Sequence, residues 1–184
     1  MTIVFALAII FVAITLFLLL QFLPKQARSL QRQNIRAAQK TLRSLRDRNL
    51  TAEEQLPVVI GTLRKLDPFQ FEELILTCLQ ERGYRIVRNK RYTGDGGIDG
   101  RVYLNGQQYL IQAKRYRHHI NAQHVSDFEM VIAQEGAAGG YFVHTGKTGK
   151  LSRQIGRRGT ITFISGQALV HLVLNKPGDF LSPL

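Results

Sequence analysis

An apolar run covers the first part of the chain. Between residues 1 and 23 there is no charged side chain, and only Thr2, Thr15 and Gln21 are polar. About 20 consecutive apolar residues are enough to cross the hydrocarbon core of a bilayer as a helix. A cleaved secretory signal would need a positive start and a shorter apolar stretch that ends in small residues, and the sequence has neither. The pattern therefore predicts an uncleaved transmembrane anchor over residues 1–23.

The segment that follows the run is basic and has the spacing of a helix. Its apolar positions are separated by three or four residues or by multiples of these. They are Ala27, Leu30, Ala38, Leu42 and Leu45, with cations at Arg28, Arg32, Arg36, Lys40 and Arg43. Such a helix would either lie along a membrane or stand off from it, so residues 24–66 are interpreted as a basic helical stalk or linker. Because no cation precedes the apolar run, the positive-inside rule predicts a single-pass protein of the cell inner membrane with a cytoplasmic C-terminal domain.

From Thr51 onwards the pattern changes repeatedly between helical and strand periodicity. Thr51 and Glu54 form the capping box of a short helix, and Asp67 with Pro68 opens a second one. The remaining elements are predicted as strands at 84–88, 98–104, 108–113, 140–145 and 160–164, and as helices at 120–134, 147–157 and 166–174. This order predicts an α/β domain over residues 67–184, in which helices flank a mixed central sheet.

Charge and cysteine content narrow the class of protein. The chain has 25 Lys and Arg against 13 Asp and Glu, a formal net charge of +12. Anionic lipid could account for the excess in segment 24–66, but the excess in the domain after it suggests a polyanionic partner such as nucleic acid. The single cysteine, Cys78, excludes an internal disulfide framework and fits a reducing compartment.

The candidate catalytic residues lie around a glycine-rich turn at residues 94–97 and on the hairpin that follows it. Asn105 and Gly106 are a preferred dipeptide for a tight hairpin turn, and this turn places Asp99 directly across from Gln112. Gln112 and Lys114 are two residues apart on one strand and project from the same face. A carboxylate, a second oxygen ligand and an ammonium group suit phosphodiester hydrolysis, since hard oxygen ligands hold Mg²⁺ and the ammonium group can orient the attacking water.

Five sequence elements occur in order between about residues 67 and 170. They are Phe71-Glu72, Gly83-Tyr84, Gly94 to Asp99, Ile111 to Tyr116 and Gly140 to Thr145. As an ordered set they resemble the Mrr-like restriction endonucleases, a branch of the PD-(D/E)xK nuclease superfamily. The resemblance implies a restriction-endonuclease-like fold in which Asp99 is the metal-binding acid and Gln112 takes the place of the superfamily's second acid. It further implies that Lys114 is the catalytic lysine.

The same resemblance implies the rest of the metal site. Glu72 is similar to a helix-borne acid that supports the metal directly or through water, so the implied ligands of Mg²⁺ or Mn²⁺ are Asp99, Gln112 and Glu72. Because an amide oxygen brings no charge, Glu72 would carry more of the neutralisation. Asp95 would add to it or would only shape the glycine-rich loop.

Two basic segments could hold nucleic acid near this site. The first runs from Arg115 to His119 and offers cations and an aromatic ring next to the proposed lysine. The second is the predicted helix 147–157, which would either meet a phosphate backbone or present a solvated basic face. The remaining histidines, His124, His144 and His171, are interpreted as structural.

These observations predict a membrane-anchored, metal-dependent endonuclease that hydrolyses phosphodiester bonds in DNA. A membrane tether that binds DNA through the same fold without cutting it is one alternative, and a structural membrane protein with a lipid-binding stalk is another. Cutting both strands usually requires two centres, which makes a homodimer a reasonable expectation. Family members commonly carry a separate DNA-reading domain in front of the nuclease, whereas residues 1–66 provide a span and a basic helix, so a preference for modified DNA is not implied.

Overall fold

The chain divides into two units that are described separately. The computed structural model describes residues 2–89, 96–177 and 181, with the backbone alone at residues 2–9, 16–25 and 27. The first unit is Met1–Gln33 and the second is Asn34–Leu184.

The first unit is helical and belongs to α1 (Thr2–Arg46), a helix of 45 residues that continues into the second unit. Ile10, Phe11 and Val12 are exposed apolar residues on it. Within the described part of the chain, no helix has the length and apolar character needed to cross a membrane. Most side chains of the predicted anchor 1–23 lie outside the described residues, so the anchor stays a prediction.

A five-stranded mixed sheet forms the centre of the second unit. The helices are α1, α2 (Ala52–Leu63), α3 (Pro68–Glu81), α4 (Ala122–Gln134), α5 (Lys150–Gly156) and α6 (Gly166–Val173), and the strands are β1 (Arg85–Arg88), β2 (Gly100–Leu104), β3 (Gln107–Lys114), β4 (Gly139–His144) and β5 (Ile161–Ser165). The strand order is β1-β2-β3-β4-β5. The first three strands pair antiparallel and the last three pair parallel. The predicted α/β class and the mixed sheet with flanking helices are confirmed.

The local signals in the sequence are visible at the element ends. Thr51 and Glu54 form the reciprocal capping box of α2. The Asp67 side chain accepts from the Phe69 N–H at 2.9 Å at the start of α3. The β2–β3 turn places Asn105 at φ 50° and Gly106 at φ 80°, the positive values that a tight hairpin requires. The resulting register pairs the strands as the turn dipeptide predicts, from Leu104↔Gln107 to Gly100↔Ile111.

The sheet separates two hydrophobic layers. Alternating residues of β3 and β4 face opposite layers: Ile111 and Tyr141 belong to one buried cluster, and Leu110 and Phe142 to the other. The first layer contains residues of α1, α2, α3 and α6, and the second contains residues of α4 and α5. Two of the catalytic candidates, Gln112 and Lys114, therefore lie on a strand that is buried on both faces and held rigidly. Asp99 directly precedes β2, and Glu72 lies on α3.

The C-terminal part of α1 is packed in the core of the second unit. Ala38, Leu42 and Leu45 are at most 1% exposed and belong to the first layer. Arg46 adds polar contacts, among them a hydrogen bond from its Nε to the Val173 carbonyl oxygen at 2.9 Å and an ion pair with Glu81 at 2.8 Å. Residues 34–66 therefore belong to the second compact unit, and the predicted boundary of the nuclease domain at residue 67 stays a prediction.

Leucine truncations in this segment are expected to destabilise the protein. Leu42→Ala and Leu45→Ala would each lower the free energy of unfolding by about 2–5 kcal/mol, because each removes a buried side chain from a filled core. Chemical denaturation of the full chain in detergent micelles measures this change. Leu30→Ala is the matched control, since Leu30 lies on the same helix but is 46% exposed, and it should change stability by less than about 0.5 kcal/mol. Unchanged stability in the Leu42 and Leu45 variants would show that this segment is not part of the folded core.

Candidate active site

A cleft opens at the edge of the sheet where β2 begins and β3 ends. Its volume is about 390 Å³. It is lined by residues of α3, the β1–β2 loop, β3, the loop after β3 and the start of α4: Pro68, Phe71, Glu72, Gly97, Asp99, Gln112, Ala113, Lys114, Arg115, Tyr116 and His124. The structure thus brings together all four site residues named from the sequence, namely Glu72, Asp99, Gln112 and Lys114. Their chemical roles stay predictions.

The backbone of β3 fixes the position of Asp99. Its N–H donates to the Ile111 carbonyl oxygen at 2.8 Å. Its carboxylate Oδ2 accepts from the Ala113 N–H at 2.6 Å. Asp99 is therefore bonded to both chain neighbours of Gln112, which is the placement that the hairpin turn predicts. A carboxylate held by a backbone donor keeps its orientation without a ligand.

The two polar atoms of the Gln112 amide have different surroundings. Gln112 is only 4% exposed. Its Nε2 donates to the Gly97 carbonyl oxygen at 2.7 Å, whereas its Oε1 has no hydrogen-bond partner among the described residues. Gly97 has φ +84°, and a Cβ there would lie 2.6 Å from Gln112 Nε2, so this turn requires glycine. The glycine-rich loop thus holds the amide nitrogen and leaves a buried oxygen for another ligand.

Two consecutive acids on α3 have different surroundings. Glu73 is buried and forms an ion pair with the Arg88 Nε at 2.8 Å, and the same guanidinium donates to Thr77 Oγ1 at 3.2 Å. Glu72 is partly buried and lines the cleft instead. Lys114 is also partly exposed there, at the end of β3. The helix-borne acid of the cleft is therefore Glu72.

The cleft offers oxygen ligands of mixed kind. In residues 2–89, 96–177 and 181, no group of three or more His, Cys, Asp and Glu side chains is placed to hold a metal ion. The carboxylate and amide side chains that line the cleft are those of Glu72, Asp99 and Gln112. Asp95, which could add a charge, lies outside the described residues.

A family model provides the decisive comparison. The model named Mrr_cat and described as a restriction endonuclease matches residues 63–173. The chain belongs to the Mrr_cat restriction endonuclease family. The matched segment includes all five sequence elements between about residues 67 and 170. The resemblance that they indicated is confirmed.

Two solved restriction endonucleases are similar to part of this chain. AspBHI, a DNA modification-dependent restriction endonuclease, is 22% identical with a TM-score of 0.50, and the match covers 68% of this chain and 38% of AspBHI. The restriction endonuclease MspJI, solved in complex with a 27-mer oligonucleotide, is 23% identical with a TM-score of 0.46 over 67% of this chain and 33% of MspJI. This chain therefore corresponds to less than two fifths of either enzyme, and the AspBHI likeness concerns the fold alone. No protein with a curated description matches the chain.

The Mrr_cat cleft also contains a contact that the sequence did not reveal. The Tyr116 hydroxyl and His124 Nδ1 are 2.6 Å apart, and both residues line the cleft. The sequence alone predicts a structural role for His124 and places Tyr116 only in a basic segment. Tyr116 follows Lys114 by two residues, which indicates a shared face, but no periodic signal connects Tyr116 to His124 on α4.

The basic segment after Lys114 divides into a structural cation and an exposed loop. Arg115 donates to the carbonyl oxygens of Arg64, at 3.2 Å, and Leu66, so it holds the α2–α3 connection. Arg117 to His119 are exposed and lie beside Lys147, since the Lys147 N–H donates to the His118 carbonyl oxygen at 2.9 Å. The two basic segments predicted to meet nucleic acid are therefore adjacent.

Burial changes two pKa values beside the cleft. It lowers the pKa of His144 to about 4, although a backbone hydrogen bond with Gly146 opposes the shift, so this imidazole is neutral at physiological pH. Its Nε2 lies 3.1 Å from Thr148 Oγ1. Burial also raises the pKa of Tyr116, so its phenol keeps its proton at neutral pH.

Proposed function

We propose that this chain is a metal-dependent endonuclease that hydrolyses phosphodiester bonds in DNA. The Mrr_cat family makes the domain restriction-endonuclease-like. The observation that carries the proposal is the cleft in which Asp99, Glu72 and Lys114 meet the buried Oε1 of Gln112, which has no hydrogen-bond partner within residues 2–89, 96–177 and 181. A buried polar atom without a partner is costly in a folded protein, and a cation is a partner that would satisfy it.

The residues of the cleft fit a hard divalent cation. Carboxylate and amide oxygens are preferred ligands of Mg²⁺, and Mn²⁺ accepts the same donors. Asp99, Gln112 and Glu72 would hold the ion, which polarises the phosphoryl group and lowers the pKa of a bound water. Two carboxylates offset the charge of one divalent cation, so the neutral amide at position 112 is compatible with binding.

Lys114 would act on the nucleophile or on the developing charge. Its ammonium group is at the same cleft as Asp99, at the end of a strand whose register is fixed. A positioned cation can orient the attacking water and stabilise the additional negative charge on the phosphate oxygens. Preorganisation on a buried strand supports this role, since it avoids rearrangement during the reaction.

DNA is the proposed substrate because of the charge around the cleft. Arg117, Lys147, Lys150 and Arg153 are exposed, and the loop and helix that carry them are adjacent. Clustered cations of this kind attract a phosphate backbone regardless of sequence. Arg158 is excluded from this set because it pairs with Glu129 at 2.9 Å.

The apolar run supports a membrane location for the enzyme. Residues 1–23 would anchor it as a single span, with the nuclease domain on the cytoplasmic side of the inner membrane. A homodimer would supply the two centres that cutting both strands requires. Retention of the full chain in alkali-washed membranes tests the anchor, and complete release by the wash would refute it.

Plasmid cleavage by the full chain in detergent micelles tests the proposed activity. Nicking or linearisation is expected with Mg²⁺ or Mn²⁺ and is expected to stop with EDTA. An Asp99→Asn/Lys114→Met variant purified in parallel controls for contaminating nucleases. If the wild type binds methylated and unmethylated plasmid but leaves both intact with every metal, the non-cleaving tether becomes the better account.

A further inference from the structure

We propose that Tyr116 and His124 form a phosphate-binding pair in the wall of the cleft. The Tyr116 hydroxyl would donate a hydrogen bond to a non-bridging oxygen of the substrate phosphate, and His124 would set the direction of that hydroxyl. The inference rests on the proposed phosphodiester substrate. It assigns a function to two residues outside the metal set.

The backbone of Tyr116 is clamped from two sides. Its N–H donates to Thr145 Oγ1 at 2.9 Å. The Thr145 hydroxyl in turn donates to the Tyr116 carbonyl oxygen at 2.9 Å. Thr145 is buried, and its own carbonyl oxygen accepts from Arg64 at 2.7 Å. Gly146 permits close contact, because a Cβ there would lie 2.7 Å from Tyr116 Cβ. The tyrosine is therefore held in one place before any substrate arrives.

The far end of the side chain is held by α4. His124 lies in the first turn of this helix, whose N-cap Asn121 accepts from the Gln123 N–H at 2.9 Å. From there His124 Nδ1 reaches the Tyr116 hydroxyl at 2.6 Å. A tyrosine fixed at its backbone and at its hydroxyl loses little entropy when it binds a ligand.

The chemistry of the pair suits a phosphate oxygen. Because burial raises the pKa of Tyr116, the hydroxyl remains a donor at neutral pH. When Nδ1 of His124 carries a proton, it donates to the phenol oxygen and leaves the phenol proton for another acceptor. An anionic oxygen is the strongest acceptor available in such a cleft, and Lys114 lines the same space. The structural alternative is that the pair only ties the loop after β3 to α4.

Enzyme kinetics with a short DNA duplex separates these two roles. Tyr116→Phe removes only the hydroxyl and is expected to raise KM about tenfold or more with little change in kcat, since it removes a bond made equally in the ground and transition states. His124→Ala is also expected to raise KM. His124→Asn should recover most of the loss, because its amide can offer a donor close to the position of Nδ1.

A double variant tests whether His124 acts through Tyr116. If it does, Tyr116→Phe/His124→Ala should be no worse than Tyr116→Phe alone. Tyr103→Phe is the matched control, since it removes a hydroxyl that donates to Gln108 at 3.0 Å in the β2–β3 hairpin, outside the cleft lining. Its KM should equal that of the wild type.

Two outcomes would contradict the proposal that Tyr116 and His124 bind phosphate. The first is an unchanged KM and DNA affinity in Tyr116→Phe. The second is a fall in kcat that accompanies a lower melting temperature, as a purely structural tie would produce. DNA affinity measured by fluorescence anisotropy in Ca²⁺ keeps the test independent of cleavage. An inactive wild type would refute the proposed nuclease, whereas the affinity difference between wild type and Tyr116→Phe would still decide the pair.

Discussion

Asp99→Asn is expected to lower the initial rate of metal-dependent DNA cleavage by at least about 100-fold while the protein stays folded. Residues that merely support a metal ligand already change metal affinity or activity by about 10- to 100-fold, and Asp99 is proposed to be a ligand itself. Asparagine keeps an oxygen that can accept from the Ala113 N–H, which Asp99 Oδ2 does at 2.6 Å. The substitution therefore removes the charge and preserves the contact that holds the side chain.

The measurement compares initial rates over a series of Mg²⁺ concentrations, together with thermal unfolding. The loss should be partly recovered at high Mg²⁺, because a weaker site fills when more ion is present. Asp127→Asn is the matched control, since Asp127 is an exposed aspartate on α4 whose carboxylate accepts from Gln123 Nε2 at 2.8 Å. A rate for Asp99→Asn within about threefold of the wild type would remove Asp99 from the catalytic centre.

The hairpin that carries Asp99 could be predicted because its information is local. Asn105 and Gly106 adopt positive φ, and this turn alone sets the β2–β3 register. The register then places Asp99 beside Gln112 without knowledge of the rest of the fold. Strands β4 and β5 were recognised for a similar reason, since short apolar runs bounded by turns are typical of buried parallel strands.

The end of α1 could not be placed from the sequence because its burial depends on distant partners. The stripe of Ala38, Leu42 and Leu45 is narrow, and a narrow stripe on a basic helix also suits a membrane surface. Its burial is completed by α2, α3 and α6, and Arg46 reaches a carbonyl oxygen 127 positions away, at Val173. No local pattern indicates such a contact.

Local sequence patterns also fail to identify two features of the site, namely the acid on α3 and the contact between Tyr116 and His124. Periodicity puts Phe71 in the core, but it does not decide between Glu72 and Glu73. The decision comes from Arg88 on β1, which pairs with Glu73. Glu72 was named only through the family resemblance. The contact between Tyr116 and His124 crosses an irregular loop, whose path no periodicity determines.

Gln112 provides the second large effect, because both ends of its amide are expected to matter. Gln112→Met removes the unpartnered oxygen and the donor to Gly97, and it should lower the cleavage rate by at least about 100-fold. Gln112→Glu adds a charge that favours a cation, yet its carboxylate cannot donate to the Gly97 carbonyl oxygen that Nε2 contacts at 2.7 Å. Leaving that oxygen opposite a carboxylate should lower the free energy of unfolding by about 1–3 kcal/mol and displace the glycine-rich loop.

The expected order of cleavage rates is therefore wild type, then Gln112→Glu, then Gln112→Met. Gln108→Glu is the control on the same strand, because Gln108 Oε1 accepts from the Tyr103 hydroxyl at 3.0 Å and a carboxylate can do the same. It should change neither rate nor stability appreciably. If Gln112→Glu cleaves faster than the wild type with unchanged stability, charge alone governs this position. If it is slower and less stable, the amide is there because one side chain must bind both a backbone carbonyl and a cation, which a carboxylate cannot do.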